Sequence, residues 1–116
     1  MWILLFAVCL LLVLNFLTAA QAENLPTLKV LSTPNCPNCA QMLRVLDEID
    51  SKYGAKVATE RVNLFEHRDV AKQYNVRYVP HLLFVDAAGN VVKQEIGAKS
   101  LEEVMSLFQE AGVNIA

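Results

Sequence analysis

No charged side chain precedes Glu23, so only residues 23–116 of this 116-residue chain can build an ordinary globular core. The 54% hydrophobic content is correspondingly uneven. Residues 2–14, WILLFAVCLLLVL, hold no polar side chain at all. That run has the length of a signal-peptide core and falls short of the ~20 residues that a bilayer span needs. It leads into NFLTAAQA, where Ala20 and Ala22 give the small-x-small pattern of a cleavage site. The expectation is a signal peptide over residues 1–22, cut after Ala22, and one domain over residues 23–116. The segment before the run has no Lys or Arg, only the Met1 amino group, so an uncleaved membrane anchor over residues 2–20 is the alternative. Either way the globular part lies outside the cytoplasm, in a periplasmic or other extracytoplasmic space.

All 10 Lys and Arg and all 12 Asp and Glu fall at or beyond residue 23, leaving a net charge of −2 with scattered signs. A nucleic-acid partner would require a basic stripe, which is not present. Of the three cysteines, Cys9 lies in the apolar run and leaves with it if cleavage occurs. Cys36 and Cys39 then remain, with no further cysteine for a disulfide framework.

Hydrophobic spacing orders the rest of the chain. TLKVLST (27–33) reads as a buried strand that Pro34 stops. A helix runs from about Cys36 to Tyr53, with Met42, Leu43, Leu46, Ile49 and Tyr53 forming a stripe and Gly54 at the stop. KVATERVNL (56–64) reads as a second strand and HRDVAKQYNV (67–76) as a short helix. YVPHLLFVD (78–86) and NVVKQEIG (90–97) flank the turn AAGN as a hairpin. Ser100 and Glu103 make a capping box for a last helix that carries Leu101, Val104, Met105 and Phe108 and ends at Gly112. The order is β-α-β-α-β-β-α. It implies an α/β fold with a mixed four-stranded sheet and three helices, its front strands parallel through a right-handed crossover.

The pair in TPNCPNCAQM admits three uses: a metal clamp, a structural staple or a redox centre. Structural zinc takes four ligands, and the only histidines, His67 and His81, lie fourteen apart on different elements. A structural disulfide here closes a very small loop and gains little entropy. A helix start favours the third use. Unpaired N–H groups and the helix dipole stabilise a thiolate on Cys36, and Pro37 suits the first helical position because it lacks an N–H. Cys39, one turn on, can resolve a mixed disulfide formed at Cys36.

With TLKVLST running into CPNC, then QYNVRYVPHLLFVDAAGNVV and IGAKSLEEVMSLF, residues 27–112 resemble the thioredoxin superfamily in its minimal, glutaredoxin-like layout. The resemblance implies a cis peptide bond at Val79–Pro80, with Pro80 facing the cysteine pair and the Val79 backbone pairing with an extended substrate. Gly97 matches the glycine that follows the last strand in relatives. His81 reads as a strand residue with a solvated edge, near enough to the sulfurs to tune the thiolate. Pro37 and Asn38 are expected to set the redox potential. Several positions depart from the family pattern. Asn35 stands where the family carries tryptophan, and Val30 where thioredoxins carry a buried acid, leaving Glu60 as a substitute proton carrier. Asn38 and the loop GAKS lack the features that hold glutathione in glutaredoxins.

The resemblance implies a disulfide oxidoreductase with no cofactor beyond the Cys36–Cys39 couple and no metal. Its partners would be protein disulfides and a membrane-bound electron donor or acceptor, with the chain itself a monomer. A reductase acting on envelope proteins is the first reading. A disulfide oxidase or isomerase on the same fold stays open, as does a copper-handling or redox-dependent interaction module.

Overall fold

The computed structural model describes residues 2–20 and 24–115, and for 12–20 the backbone alone. The expected cleavage site after Ala22 lies outside the described residues. Helices α1 (Trp2–Ala20), α2 (Pro37–Tyr53), α3 (Arg68–Gln73) and α4 (Leu101–Glu110) alternate with strands β1 (Thr27–Ser32), β2 (Ala58–Asn63), β3 (His81–Val85) and β4 (Val91–Ile96). Three helices were expected and four are present, because residues 2–20, which hold the apolar run, are themselves helical. Its side chains from Trp2 to Leu11 are exposed, and none of those ten belongs to either cluster of the domain core. Among the described residues no helix is long and apolar enough to cross a membrane.

The sheet order is β2-β1-β3-β4. β1 pairs with β2 in parallel, Thr27 opposite Ala58 through Ser32 opposite Asn63, and antiparallel with β3, Leu31 opposite His81. β3 and β4 form the antiparallel hairpin, with His81 opposite Ile96. This is the mixed four-stranded sheet that the sequence pattern implies. The C-terminal ends of β1, β2 and β4 and the start of β3 therefore share one end of the sheet.

Strand alternation splits the core in two. Leu28, Val30, Leu82 and Phe84 pack with Met42, Val45, Leu46 and Ile49 of α2 and with Leu101, Val104 and Phe108 of α4. Phe84 and Phe108 meet edge to face, 4.9 Å between ring centroids, an arrangement worth ~0.5–1.5 kcal/mol beyond area burial. Leu43 and Tyr53, expected on the buried stripe of α2, are only half-buried, and Val45 lies within it. On the opposite face Leu31, Val62, Leu64, Leu83 and Val85 pack under Val70, Ala71 and Tyr74 in and just after α3.

Helix ends obey local chemistry. Ser100 Oγ accepts the Glu103 N–H at 3.2 Å, capping α4 at the position the Ser-x-x-Glu pattern marks. At its other end Gly112 adopts φ +82° and donates to Gln109 O, while Val113 donates to Phe108 O. Those two bonds form a Schellman closure, which favours glycine at its left-handed residue.

Candidate redox site

At the end of β1 the chain turns through Pro34 and Asn35 before α2 begins. Asn35 has φ +60°, a left-handed conformation that asparagine tolerates better than most residues. That turn sets Cys36 in extended geometry as the N-cap of α2, with Pro37 in the first turn. The Cys39 N–H, one of the helix's otherwise unpaired donors, points at the Cys36 sulfur from 3.1 Å. Ala40 closes the first backbone turn onto Cys36 O at 3.0 Å.

Cys36 and Cys39 are joined as a disulfide with their Cα atoms 5.1 Å apart. Their surroundings differ sharply. Cys36 is half-buried, whereas Cys39 is 2% exposed against the core of α2. Pro34, Asn35, Pro37 and Asn38 are all exposed around Cys36. An approaching molecule meets Cys36 first and reaches Cys39 only through it. In the reduced state the N–H now on the Cys36 sulfur is placed to stabilise a thiolate there.

The start of β3 supplies the neighbouring segment. The Val79–Pro80 peptide bond is cis; Val79 is half-buried and Pro80 buried. Gly97, with φ +97°, donates its N–H to Pro80 O at 2.9 Å, fastening the end of β4 to this segment. Behind the pair, Met42 is fully buried and its sulfur accepts the Lys99 N–H at 3.4 Å. Met42 is thus a core residue that also anchors the loop before α4. Nothing in the sequence pattern marks that second contact.

His81 requires a correction. Expected at a solvated edge, it is only 6% exposed, because β3 runs between β1 and β4 and both flanks of His81 are occupied, by Leu31 and Ile96. Its Nε2 meets Gln94 Oε1 at 2.8 Å, and Nδ1 is buried without a hydrogen-bond partner. Strand alternation places the ring with Leu83 and Val85, on the α3 side of the sheet, while the cysteine helix packs on the other.

Glu60 is also misplaced for the role the sequence suggested. It lies opposite Lys29 in the ladder, its Oε2 3.4 Å from Lys29 Nζ, and shares the α3 face with Val62. On the cysteine-helix side, Val30 is fully buried in the apolar cluster, so no carboxylate from β1 underlies Cys39. Among the described residues, no three His, Cys, Asp or Glu side chains gather in a way that could hold a metal ion.

Comparison with known proteins agrees with this geometry. A family model described as a thioredoxin-like domain matches residues 15–112. Thioredoxin C-2 of Corynebacterium nephridii is 39% identical over 67 residues, covering 57% of this chain and 60% of that protein. Thioredoxin-T of Drosophila melanogaster is 32% identical over 68 residues, covering 59% of this chain and 43% of that protein. The chain thus spans between two-fifths and three-fifths of the length of these curated relatives. Among solved structures, thioredoxin-2, a component of malaria parasite protein secretion machinery, aligns with a TM-score of 0.69 at 15% identity, over 76% of this chain and 84% of that one. Another malarial protein aligns with a TM-score of 0.70 at 16% identity, over 78% of this chain and all of that one. At such identities the structural likeness speaks for the fold. Because the family match runs through the strand leading to Cys36, the helix carrying both cysteines and the hairpin opened by Pro80, the chain belongs to the thioredoxin-like domain family.

Proposed function

We propose that this protein is an exported thiol–disulfide oxidoreductase that reduces disulfides in envelope proteins through its Cys36–Cys39 couple. The observation that carries the reading is the asymmetry of the pair. Cys36 sits half-buried at a helix N-cap under the Cys39 N–H, while Cys39 is buried one turn behind it. The thioredoxins among its relatives support the same reaction class.

In the reducing direction the Cys36 thiolate attacks one sulfur of a substrate disulfide. A mixed disulfide forms and the other substrate sulfur leaves as a thiolate, taking its proton from water. Cys39, losing its own proton to water, then attacks the Cys36 sulfur. The internal disulfide closes and the second substrate thiolate departs. Two electrons have passed to the substrate, and a membrane-bound dithiol donor restores the pair. Val79 offers backbone groups to an extended substrate segment, and Pro80 walls the sulfurs. Export rests on the apolar run of residues 2–14 and the small residues Ala20 and Ala22 that follow it.

The deciding experiment is the reduction potential of the couple in the full chain, combined with turnover of a protein disulfide. A potential near about −270 mV with turnover supports a reductase, while one near about −120 mV assigns an oxidant. Absence of any thiol–disulfide exchange would overturn the reading. A reporter fused after Ala116 that is active only in the cytoplasm would overturn export.

A further inference from the structure

β4 is the last strand in the sheet order, so one of its long edges has no strand beside it. Which backbone groups that edge presents follows from the other side. Gly97 donates to Pro80 O, and in an antiparallel ladder alternate residues turn toward the same partner. Glu95 and Lys93, opposite Leu82 and Phe84, therefore direct their N–H and C=O groups at β3, while Gln94 and Ile96 direct theirs outward. The register break falls between Phe84 and Val85, so the run from Lys93 to Ile96 is regular. Gln94 and Ile96 stand opposite Leu83 and His81, on the α3 face; with Val92 they are exposed and belong to neither core cluster. On the α4 face Lys93 Nζ lies 3.7 Å from Glu95 and 3.6 Å from Glu110.

Read outward from Gln94, this strand complements itself. An apolar residue lies two positions away on each side, and the immediate neighbours are a cation and an anion. We propose that two copies of this chain pair antiparallel along β4, centred on Gln94, in place of the monomer that the resemblance implies. Gln94 then exchanges backbone bonds with its own copy. Val92 meets Ile96 on one face and Lys93 meets Glu95 on the other, each contact occurring twice about the two-fold axis. Sliding one copy by two residues, the smallest step that keeps each face on its own side, sets Lys93 against Lys93 or Glu95 against Glu95. Charge therefore selects the register as well as the partner. The axis stands perpendicular to the joined sheet, so the two cysteine pairs lie toward opposite ends of it. The pairing is independent of the oxidoreductase reading.

The test mixes affinity-tagged full chain with untagged full chain and measures how much of the untagged chain is retained. Wild type should retain wild type. Lys93→Glu sets two anions opposite each other at both contacts, and Glu95→Lys two cations. Each variant should therefore bind itself roughly tenfold more weakly, the scale of two cross-strand charge pairs changing sign. Tagged Lys93→Glu mixed with untagged Glu95→Lys restores opposite signs at both contacts and should recover wild-type retention, which a folding defect in either variant could not produce. Association through the exposed side chains of α1 would be indifferent to these exchanges. No retention of wild type, equal retention in every combination, or loss in both variants without recovery on mixing would each overturn the proposal.

Discussion

Gly97 ties the last strand to the start of β3 by donating its N–H to the carbonyl of Pro80, 2.9 Å away, from a backbone conformation at φ +97°. Nothing lies within 4 Å of where a Cβ would stand, so a side chain there meets conformational strain and no steric clash. Gly97→Ala should cost about 1 kcal/mol in urea denaturation. If the link to Pro80 positions the substrate segment, disulfide turnover should fall along with it. A variant of wild-type stability would show that the left-handed geometry is dispensable.

The unequal burial of the two sulfurs gives a sharper expectation for trapping. Cys39→Ser should accumulate disulfide-linked complexes through Cys36, visible on non-reducing gels and cleared by dithiothreitol. Cys36→Ser should trap few, because the remaining thiol is buried. Equal trapping by the two variants would contradict the proposed order of attack.

His81 offers a test of whether burial or chemistry explains the residue. With Nδ1 buried and unpartnered, His81→Leu removes a desolvated polar atom at the loss of one hydrogen bond to Gln94. The variant should be within about 1 kcal/mol of wild type in stability. Its rate of thiol–disulfide exchange as a function of pH should be unchanged, since the ring lies across the sheet from the cysteine helix. A displaced pH profile in a stable variant would return His81 to the tuning role that its place beside Pro80 first suggested.

Val30→Asp would restore the acid that thioredoxins carry at this position, in a site now wholly apolar. Burial favours the neutral carboxyl, so its folded-state pKa would exceed the unfolded value of ~3.9. The variant's deficit should therefore be smallest below that value, where only the cost of burying a neutral carboxyl in place of valine remains, and grow as pH rises through and above it, reaching at least ~2 kcal/mol near neutrality. Urea midpoints at pH 4 and pH 8, each compared with wild type, measure this. A deficit independent of pH would mean that the carboxyl reaches water or a cation.

Elements with strong periodicity were legible in the sequence almost to the residue. The spacing of Met42, Leu46 and Ile49 marked the buried face of α2, and the Ser100–Glu103 pattern marked the start of α4. The pair Cys36 and Cys39 stood out because it opens a helix and has no other cysteine to join. What escaped is what depends on neighbours distant in the chain. Whether His81 meets water is decided by β1 and β4, which flank it from Leu31 and Ile96, and no local pattern carries that information. Glu60 failed as a proton carrier for a similar reason: one residue of register puts a side chain on one face of a sheet or the other. The additional helix, α1, shows a different limit, since an unbroken apolar run carries no period that would mark it as helical.

The position of β2 at the border of the sheet has a consequence for how the protein behaves at high concentration. A bare strand edge invites a neighbour to continue the ladder, the usual first step toward aggregation. Here the middle of that strand is Glu60 and Arg61, one on each face. Glu60 is held by Lys29, and Arg61 by Asp47 at 2.6 Å and Asp50 at 3.2 Å. A second chain aligning along β2 would have to accommodate fixed charge above and below the sheet at once. The border is in effect fenced, and the fence is built from residues that serve neither the core nor the sulfurs.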